Sequence, residues 1–463
     1  MKQEPKQAKA RPRRTASAAD RIAAGKALRD KIAYDRHGGW RPQTVDRDPI
    51  ALLRAADKTR LPELVPIRYG RMLQSPFTFY RGSAAVMAAD LAVTPVTDVH
   101  VQCCGDAHLM NFGGFATPER RLIFDINDLD ETLPAPWEWD LKRLAASFVL
   151  AARSNGLPDG AGRDAAVAAT RSYRKRMRAF ADMNVLDIWY SRIDAEALME
   201  GLSADRQAFF AKRIEKATAQ GGSDIAYPKL VEESGQQPRI KDLPPTIFHP
   251  DVVRDAAHME AVREALKQYR ETVPEDRRLL LDRYTLVDLA VKVVGIGSVG
   301  TICMVGLLMS VRDDPLFLQF KEANASVLEP FAGKSAYEHH GQRVVMGQRL
   351  MQPASDMFLG WVTGPGERHF YVRQLRDAKI SPLVETFDAE VLQIYARFCG
   401  FALARAHAKA GDPWTISGYL GKHDEFDAAI GRFAVDYADQ AEKDHGSLKA
   451  AVRAGIIDVR LEG

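Results

Sequence analysis

CGDAHLMN, residues 104–111, followed at residues 122–131 by LIFDINDLDE, is the stretch on which the reading of this chain turns. A β-branched run at residues 99–102 leads into the first segment, and residues 121–125 form a second strand-like run. Two short strands thus flank a polar loop that carries Asp106, His108 and Asn111. Asp106 and Asn111 are five residues apart, and Asp125 closes the second strand nineteen residues after Asp106. Magnesium-dependent phosphoryl transfer calls for such a set. One carboxylate accepts or orients the attacking hydroxyl, while an amide oxygen and a second carboxylate serve as hard ligands for Mg2+. On this reading Asp106 is the base and Asn111 and Asp125 are the metal ligands. Asp128 stands in for Asp125 if the strand ends later, and Asp130 and Glu131 read as a solvated acidic loop.

Further along, GIGSVG at residues 295–300 satisfies the G-x-G-x-x-G pattern of dinucleotide sites, and its flanks separate two phosphate-binding readings. In a Rossmann unit the last glycine opens a helix. Here Thr301, Ile302, Cys303 and Val305 favour a strand, and a further strand at residues 316–321 ends in Lys321. A glycine loop within a hairpin, followed by a lysine on the next strand, is the arrangement that kinases lay over ATP. Gly295, Gly297, Ser298 and Gly300 would then cover the phosphates, and Lys321 would neutralise them.

Working outward, residues 18–35 have helical spacing, residues 42–48 read as a polar connector, and the globular part is expected to begin near Ile50. Residues 137–152 predict a strongly amphipathic helix that starts with packed Trp137 and Trp139. Residues 165–180 predict another, bearing Arg171, Arg174, Lys175, Arg176 and Arg178. Residues 187–288 read as helical, with breaks at Gly221-Gly222 and Pro244-Pro245. Strands are predicted at 289–294, 301–309, 316–321, 357–363 and 369–375, with a helix at 337–352. Helices follow at 387–409 and 424–444. The expected class is α+β, organised as a basic disordered arm and helix (1–49), a helical catalytic lobe (50–288), a β-rich nucleotide lobe (289–380) and completing helices (381–463).

The catalytic segment resembles the H-G-D-x-H-x-x-N loop of aminoglycoside and choline phosphotransferases, with Cys104 in place of the first histidine, and Asp125 is similar to the metal aspartate of their I-D-W segment. In those kinases the glycine loop and lysine come first, whereas here they follow by almost two hundred residues. Residues 398–409, with Leu403, Ala404 and His407, resemble the helix that leads into the catalytic loop in the usual order. The resemblance therefore implies a bilobal, circularly permuted protein-kinase-like fold that binds ATP and Mg2+. It also implies that Gln374 and Leu375 offer hinge backbone groups to adenine, and that a helix glutamate, Glu338 or else Glu329, pairs with Lys321. Over most of its length the chain further resembles the bacterial family called domain of unknown function 2252, through YGRMLQSPFTFYRGSAAVMAADLA (69–92), FDINDLDETLPAPWEWDLKRLAASF (124–148), LFLQFKEA (316–323) and FALARAHAKAGD (401–412).

Bulk properties exclude other classes. Sixty-four basic against sixty-one acidic residues leave a formal charge of +3 on 463 residues, too little for a general polyanion binder. No specific nucleic-acid partner is expected. No apolar run approaches the length of a membrane span, and the basic residues from Lys2 to Arg14 precede no apolar signal region. Four cysteines fit a reducing, cytoplasmic setting. His100, Cys103, Cys104 and His108 lie close together, but adjacent cysteines in an extended chain point apart, which argues against zinc. Cys104, closing an apolar strand, reads as core rather than nucleophile. Arg68, Arg71 and Arg81 are candidates for an acidic-acceptor pocket or for salt bridges between lobes, as is Arg373. The expected function is Mg-ATP-dependent phosphoryl transfer to an unidentified small-molecule acceptor. The alternatives are a nucleotide-binding pseudokinase scaffold or sensor, and an enzyme that transfers AMP.

Overall fold

Short runs of Val, Leu and Phe bounded by turns become strands, and longer alanine-rich runs become helices. A computed structural model describes residues 16–42, 47–199, 203–219, 223–234, 237–244, 246–250, 256–293, 295–375 and 379–461. The basic residues Lys2 to Arg14 and the Gly221-Gly222 break lie outside them, as do Pro245 and Val294. The result is a mixed α+β architecture. Its strands are β1 (His100–Cys103), β2 (Phe112–Ala116), β3 (Leu122–Ile126), β4 (Leu133–Pro136), β5 (Val231–Ser234), β6 (Gln237–Ile240), β7 (Ile247–Phe248), β8 (Tyr284–Lys292), β9 (Cys303–Ser310), β10 (Pro315–Glu322), β11 (Gly360–Gly364), β12 (Arg368–Gln374) and β13 (Lys379–Ile380).

Six strands form one antiparallel sheet in the order β11-β12-β10-β9-β8-β7. Because strand side chains alternate, Leu316, Leu318 and Phe320 of β10 share one face, packing with Val262 and Tyr269 of the Ala256–Arg270 helix. Gln319 and Lys321 point the other way, and Lys321 sits opposite Cys303 of β9 and Tyr371 of β12. The sheet draws in more chain than expected. β8 starts at Tyr284 rather than residue 289, β7 joins it at the sheet edge, and β5 and β6 pair as a separate two-stranded sheet, all three in a stretch that reads as helical. Those strands are two to four residues long, too short for a period-2 pattern to stand out.

The Trp137–Ser154 helix differs from expectation in a more consequential way. It is buried on every side from Trp137 to Ala152, so it is a central helix rather than an amphipathic one. Around it pack the Ala161–Ala181, Ala389–Ala410 and Glu425–Arg453 helices. The first two cross closely at Gly400, where a Cβ would lie 2.1 Å from the Ala169 carbonyl oxygen.

The N-terminal helix, Ala18–Lys31, belongs to this body, which therefore begins well before Ile50. Gly25 meets the Pro413–Leu420 helix so closely that a Cβ would lie 2.1 Å from the Thr415 carbonyl oxygen, and Arg29 Nε donates to the Tyr419 carbonyl at 2.7 Å. No helix among the described residues is long and apolar enough to cross a membrane. Gly400→Val should destabilise the fold by about 1–3 kcal/mol or more through overpacking at the helix crossing, measured by urea denaturation.

Candidate functional site

The central helix sets the loop that β1 leads into. Both oxygens of Asp140 accept backbone protons, from Cys104 N at 2.6 Å and Gly105 N at 2.9 Å, and Ser147 Oγ accepts from Leu109 N at 3.0 Å. Gly105 has φ +83°, and a Cβ there would lie 2.3 Å from the Glu131 carbonyl oxygen, so glycine is required by conformation and by space. Asp106 accepts from Arg143 of the same helix, with Nε at 2.6 Å. Burial raises the Asp106 carboxyl above its ordinary range, and Arg143 restrains that rise. Asn111 Nδ2 donates to the Asp106 carbonyl at 2.8 Å, which leaves the amide oxygen of Asn111 for a ligand.

Asp125 is corrected. It lies wholly buried in β3, 2.7 Å from the Arg405 guanidinium, and outside the cavity that holds Asp106. A carboxylate between Phe124 and Ile126 in a strand buried throughout needs a cation for company, and Arg405 on the Ala389–Ala410 helix supplies it. Asp128, the stand-in, does line the cavity, 3.5 Å from Lys321 Nζ. Although burial opposes ionisation, Lys321 and Arg373 hold the Asp128 carboxyl below the usual carboxylate range.

Lys321 pairs with Asp130, and Asp130 also accepts from the Tyr371 hydroxyl at 2.7 Å. Burial works against the lysine's charge, yet Asp128 and Asp130 keep it protonated well above its ordinary range. Glu338 is therefore not its partner. That glutamate is exposed in the turn before the His340–Met351 helix, while Glu329 sits on the short Glu329–Ala332 helix. The longer helix contributes Arg343, which donates to the carbonyls of Thr132 (2.6 Å), Asp130 (2.8 Å) and Asn324 (2.9 Å). Asp130 and Glu131 are not a solvated loop, since both line the cavity and Glu131 accepts from Val327 N at 2.8 Å.

A cavity of about 200 Å³ gathers Asp106, His108, Asn111, Asp128 and Lys321 with Gly295, Gly297 and Ser298. Ser298 Oγ approaches Asp130 at 3.5 Å, and Arg60, which also lines the cavity, pins the glycine loop through the carbonyls of Gly297 (2.9 Å) and Val299 (2.5 Å). Gly300 does not line the cavity. Its φ of +93° serves the turn into β9, against the Arg60 side chain. Gln374 and Leu375 border an adjoining cavity of about 120 Å³, with Asn127, Gln352, Met357 and Arg373. Arg373 lines both cavities. The backbone amides of Gln374 and Leu375 are occupied, by Asp356 and by the Phe317 carbonyl, each at 2.9 Å, so neither amide is available to a base.

Arg68 and Arg81 reach the main cavity, while Arg71 does not line it. Arg68 is bound to Asp57 at 2.9 Å and to the Gly82 carbonyl at 2.6 Å. Among the described residues Cys103, Asp140 and His407 do bring three metal-type donors within 4.8 Å. Hydrogen bonds already account for them, because the His407 nitrogens meet Asp140 (3.2 Å) and the Tyr173 hydroxyl (2.9 Å). Burial pushes the Cys103 and Cys104 thiols far up, which removes them as nucleophiles at neutral pH.

The sequence pattern does not bring forward Asp140, Arg143 and Arg60, and it places Asp130 in a solvated loop. A signal existed for the first two, which are charges three residues apart on one helix and so face the same way. Removing Asp125 leaves Arg405 buried without its counter-ion, so Asp125→Ala should cost about 3–5 kcal/mol in urea unfolding. Asp128→Ala should cost less than this, because Asp130 remains to pair with Lys321.

Compared with known proteins, the chain matches no curated protein and no solved structure. Residues 60–451 match a family described as an uncharacterized protein conserved in bacteria, DUF2252, and a match over this much of the chain makes the protein a member of that family.

Proposed function

We propose that the protein is an Mg-ATP-dependent phosphotransferase with a circularly permuted kinase-like arrangement, acting on a hydroxyl-bearing small molecule. One observation carries the reading. A single cavity joins the Asp106–Asn111 loop and Asp128 to the glycine loop and Lys321, which lie almost two hundred residues further on. The donor set suits magnesium: an amide oxygen of Asn111, whose nitrogen is already engaged, and an ionised Asp128, both hard oxygen ligands. Bound there, the metal would offset phosphate charge and orient the phosphates.

The chain's own groups divide the remaining work. Lys321, kept charged by Asp128 and Asp130, faces the α/β-phosphates beneath backbone groups of residues 295–298. Asp106 orients the acceptor hydroxyl and takes its proton, as that oxygen bonds to the γ-phosphorus and the bond to the β–γ bridging oxygen breaks to release ADP. Its raised carboxyl basicity suits this role. The adjoining cavity beside Met357 and Gln374 is the place for adenine, held by shape and by groups other than the two occupied amides.

Titration calorimetry with ATP, with and without Mg2+, tests the metal assignment, and turnover is read by mass as a phosphoryl gain in a cell metabolite extract. Asp128→Ala should abolish magnesium-dependent ATP binding. Asp106→Ala should retain binding and lose turnover by about 10²–10⁴-fold. A species that gains AMP instead would establish nucleotidyl transfer, and unchanged binding in Asp128→Ala would defeat the metal assignment.

A further inference from the structure

Five cationic side chains line the main cavity: Arg60, Arg68, Arg81, Lys321 and Arg373. Four are committed to protein acceptors. Arg60 binds the glycine-loop carbonyls, Arg68 binds Asp57 and the Gly82 carbonyl, Lys321 binds Asp128 and Asp130, and Arg373 donates to Gln319 Oε1 at 3.0 Å. Arg81 is different. No described residue accepts a hydrogen bond or an ion pair from its guanidinium, and its Nε is buried without a partner. The Phe77 ring, one helical turn back, lies 6.0 Å from its Cζ.

Its placement is fixed although its donors are free. The Pro76–Gly82 helix is gripped on both sides of Arg81, with Arg143 donating to the Tyr80 carbonyl at 3.1 Å and Arg68 donating to the Gly82 carbonyl. The Tyr80 hydroxyl in turn donates to the Arg143 carbonyl at 2.7 Å. Asp106 and His108 line the same cavity, and His108 is held neutral by burial with Arg81 and Arg143 nearby. The glycine loop lines it too, and a Cβ on Gly297 would lie 3.8 Å from the Arg81 carbonyl oxygen. Arg81 is half-buried, and its buried Nε, left without an acceptor, costs free energy unless a ligand anion completes the fork.

We infer that Arg81 is a catalytic residue that binds the phosphoryl group in transfer, between the acceptor oxygen at Asp106 and the leaving oxygen under the glycine loop. The inference rests on the phosphotransferase reading above. In the step, the γ-phosphorus gains the acceptor oxygen and loses the bridging oxygen to ADP, while the acceptor proton passes to Asp106. The Arg81 fork offsets charge on the equatorial phosphoryl oxygens, which is most concentrated in the transition state. ADP itself lacks the group that Arg81 holds.

The test therefore compares Mg-ADP binding with and without fluoroaluminate, a planar stand-in for the transferring group, on the full chain by calorimetry. No acceptor need be known. The native protein should bind Mg-ADP more tightly with fluoroaluminate, by about tenfold or more, in keeping with the rate effect of an arginine finger. Arg81→Gln should keep its Mg-ADP affinity and lose the tightening, and Arg81→Lys, which retains charge but not the fork, should recover part of it. Full tightening in Arg81→Gln would overturn the inference and assign Arg81 to an anionic acceptor. Equal loss of Mg-ADP affinity in both variants would overturn it in favour of a structural role, and a native protein that binds Mg-ADP with no tightening would overturn it too. A native protein that does not bind Mg-ADP at all would instead defeat the phosphotransferase reading on which the inference rests.

Discussion

The Asp140 carboxylate, buried in the central helix and accepting the amide protons of Cys104 and Gly105, is the interaction on which the rest of the site depends. A charge at that depth is tolerated only when every lone pair is used, and here the loop backbone and His407 use them. One turn further on, Arg143 fixes Asp106, and Ser147 holds Leu109 N. A rigid helix with no exposed face thus dictates the path of the loop, which is how a polar segment comes to have a single geometry.

The second constraint joins the segments that chain order separates. Lys321 projects from β10 on the face opposite its helix-packed neighbours, and Asp128 and Asp130 meet it from the other part of the chain. Arg343 reinforces the same junction by donating to the backbone of residues 130 and 132. Where a helix glutamate is expected to steady the lysine, this protein uses an acidic residue two positions from Asp128, and its helix supplies a cation that holds the acidic segment still. The near-neutral net charge fits that economy, because the cations of the cleft other than Arg81 are met by nearby acceptors.

What was legible in the sequence was the set of cavity-lining groups with a short-range signature. Asp106 and Asn111 share one loop, residues 295–298 sit in a glycine string between strands, and Lys321 ends a clear β run, so spacing alone brought them forward. Asp125 misled because its position at a strand end fits the metal aspartate that the phosphotransferase resemblance implies, whereas its burial depends on Arg405, some 280 residues away. Glu338 misled for a related reason, since no local pattern reveals that Asp130 already occupies the lysine. The α+β class was readable from periodicity. The short strands β5 to β7 were not, and neither was the docking of the N-terminal helix, which rests on glycine contacts to the Pro413–Leu420 helix.

In the proposed function one cleft, built from the loop on the central helix and the glycine loop on the sheet, holds a magnesium nucleotide. Hydrogen exchange by mass spectrometry on the full chain, with ATP in the presence of magnesium and again with a chelator, addresses it most directly. Exchange should slow at residues 104–111 and 295–300 together, and only when magnesium is present. Unchanged exchange at both segments, or protection confined to one of them and indifferent to the metal, would contradict it.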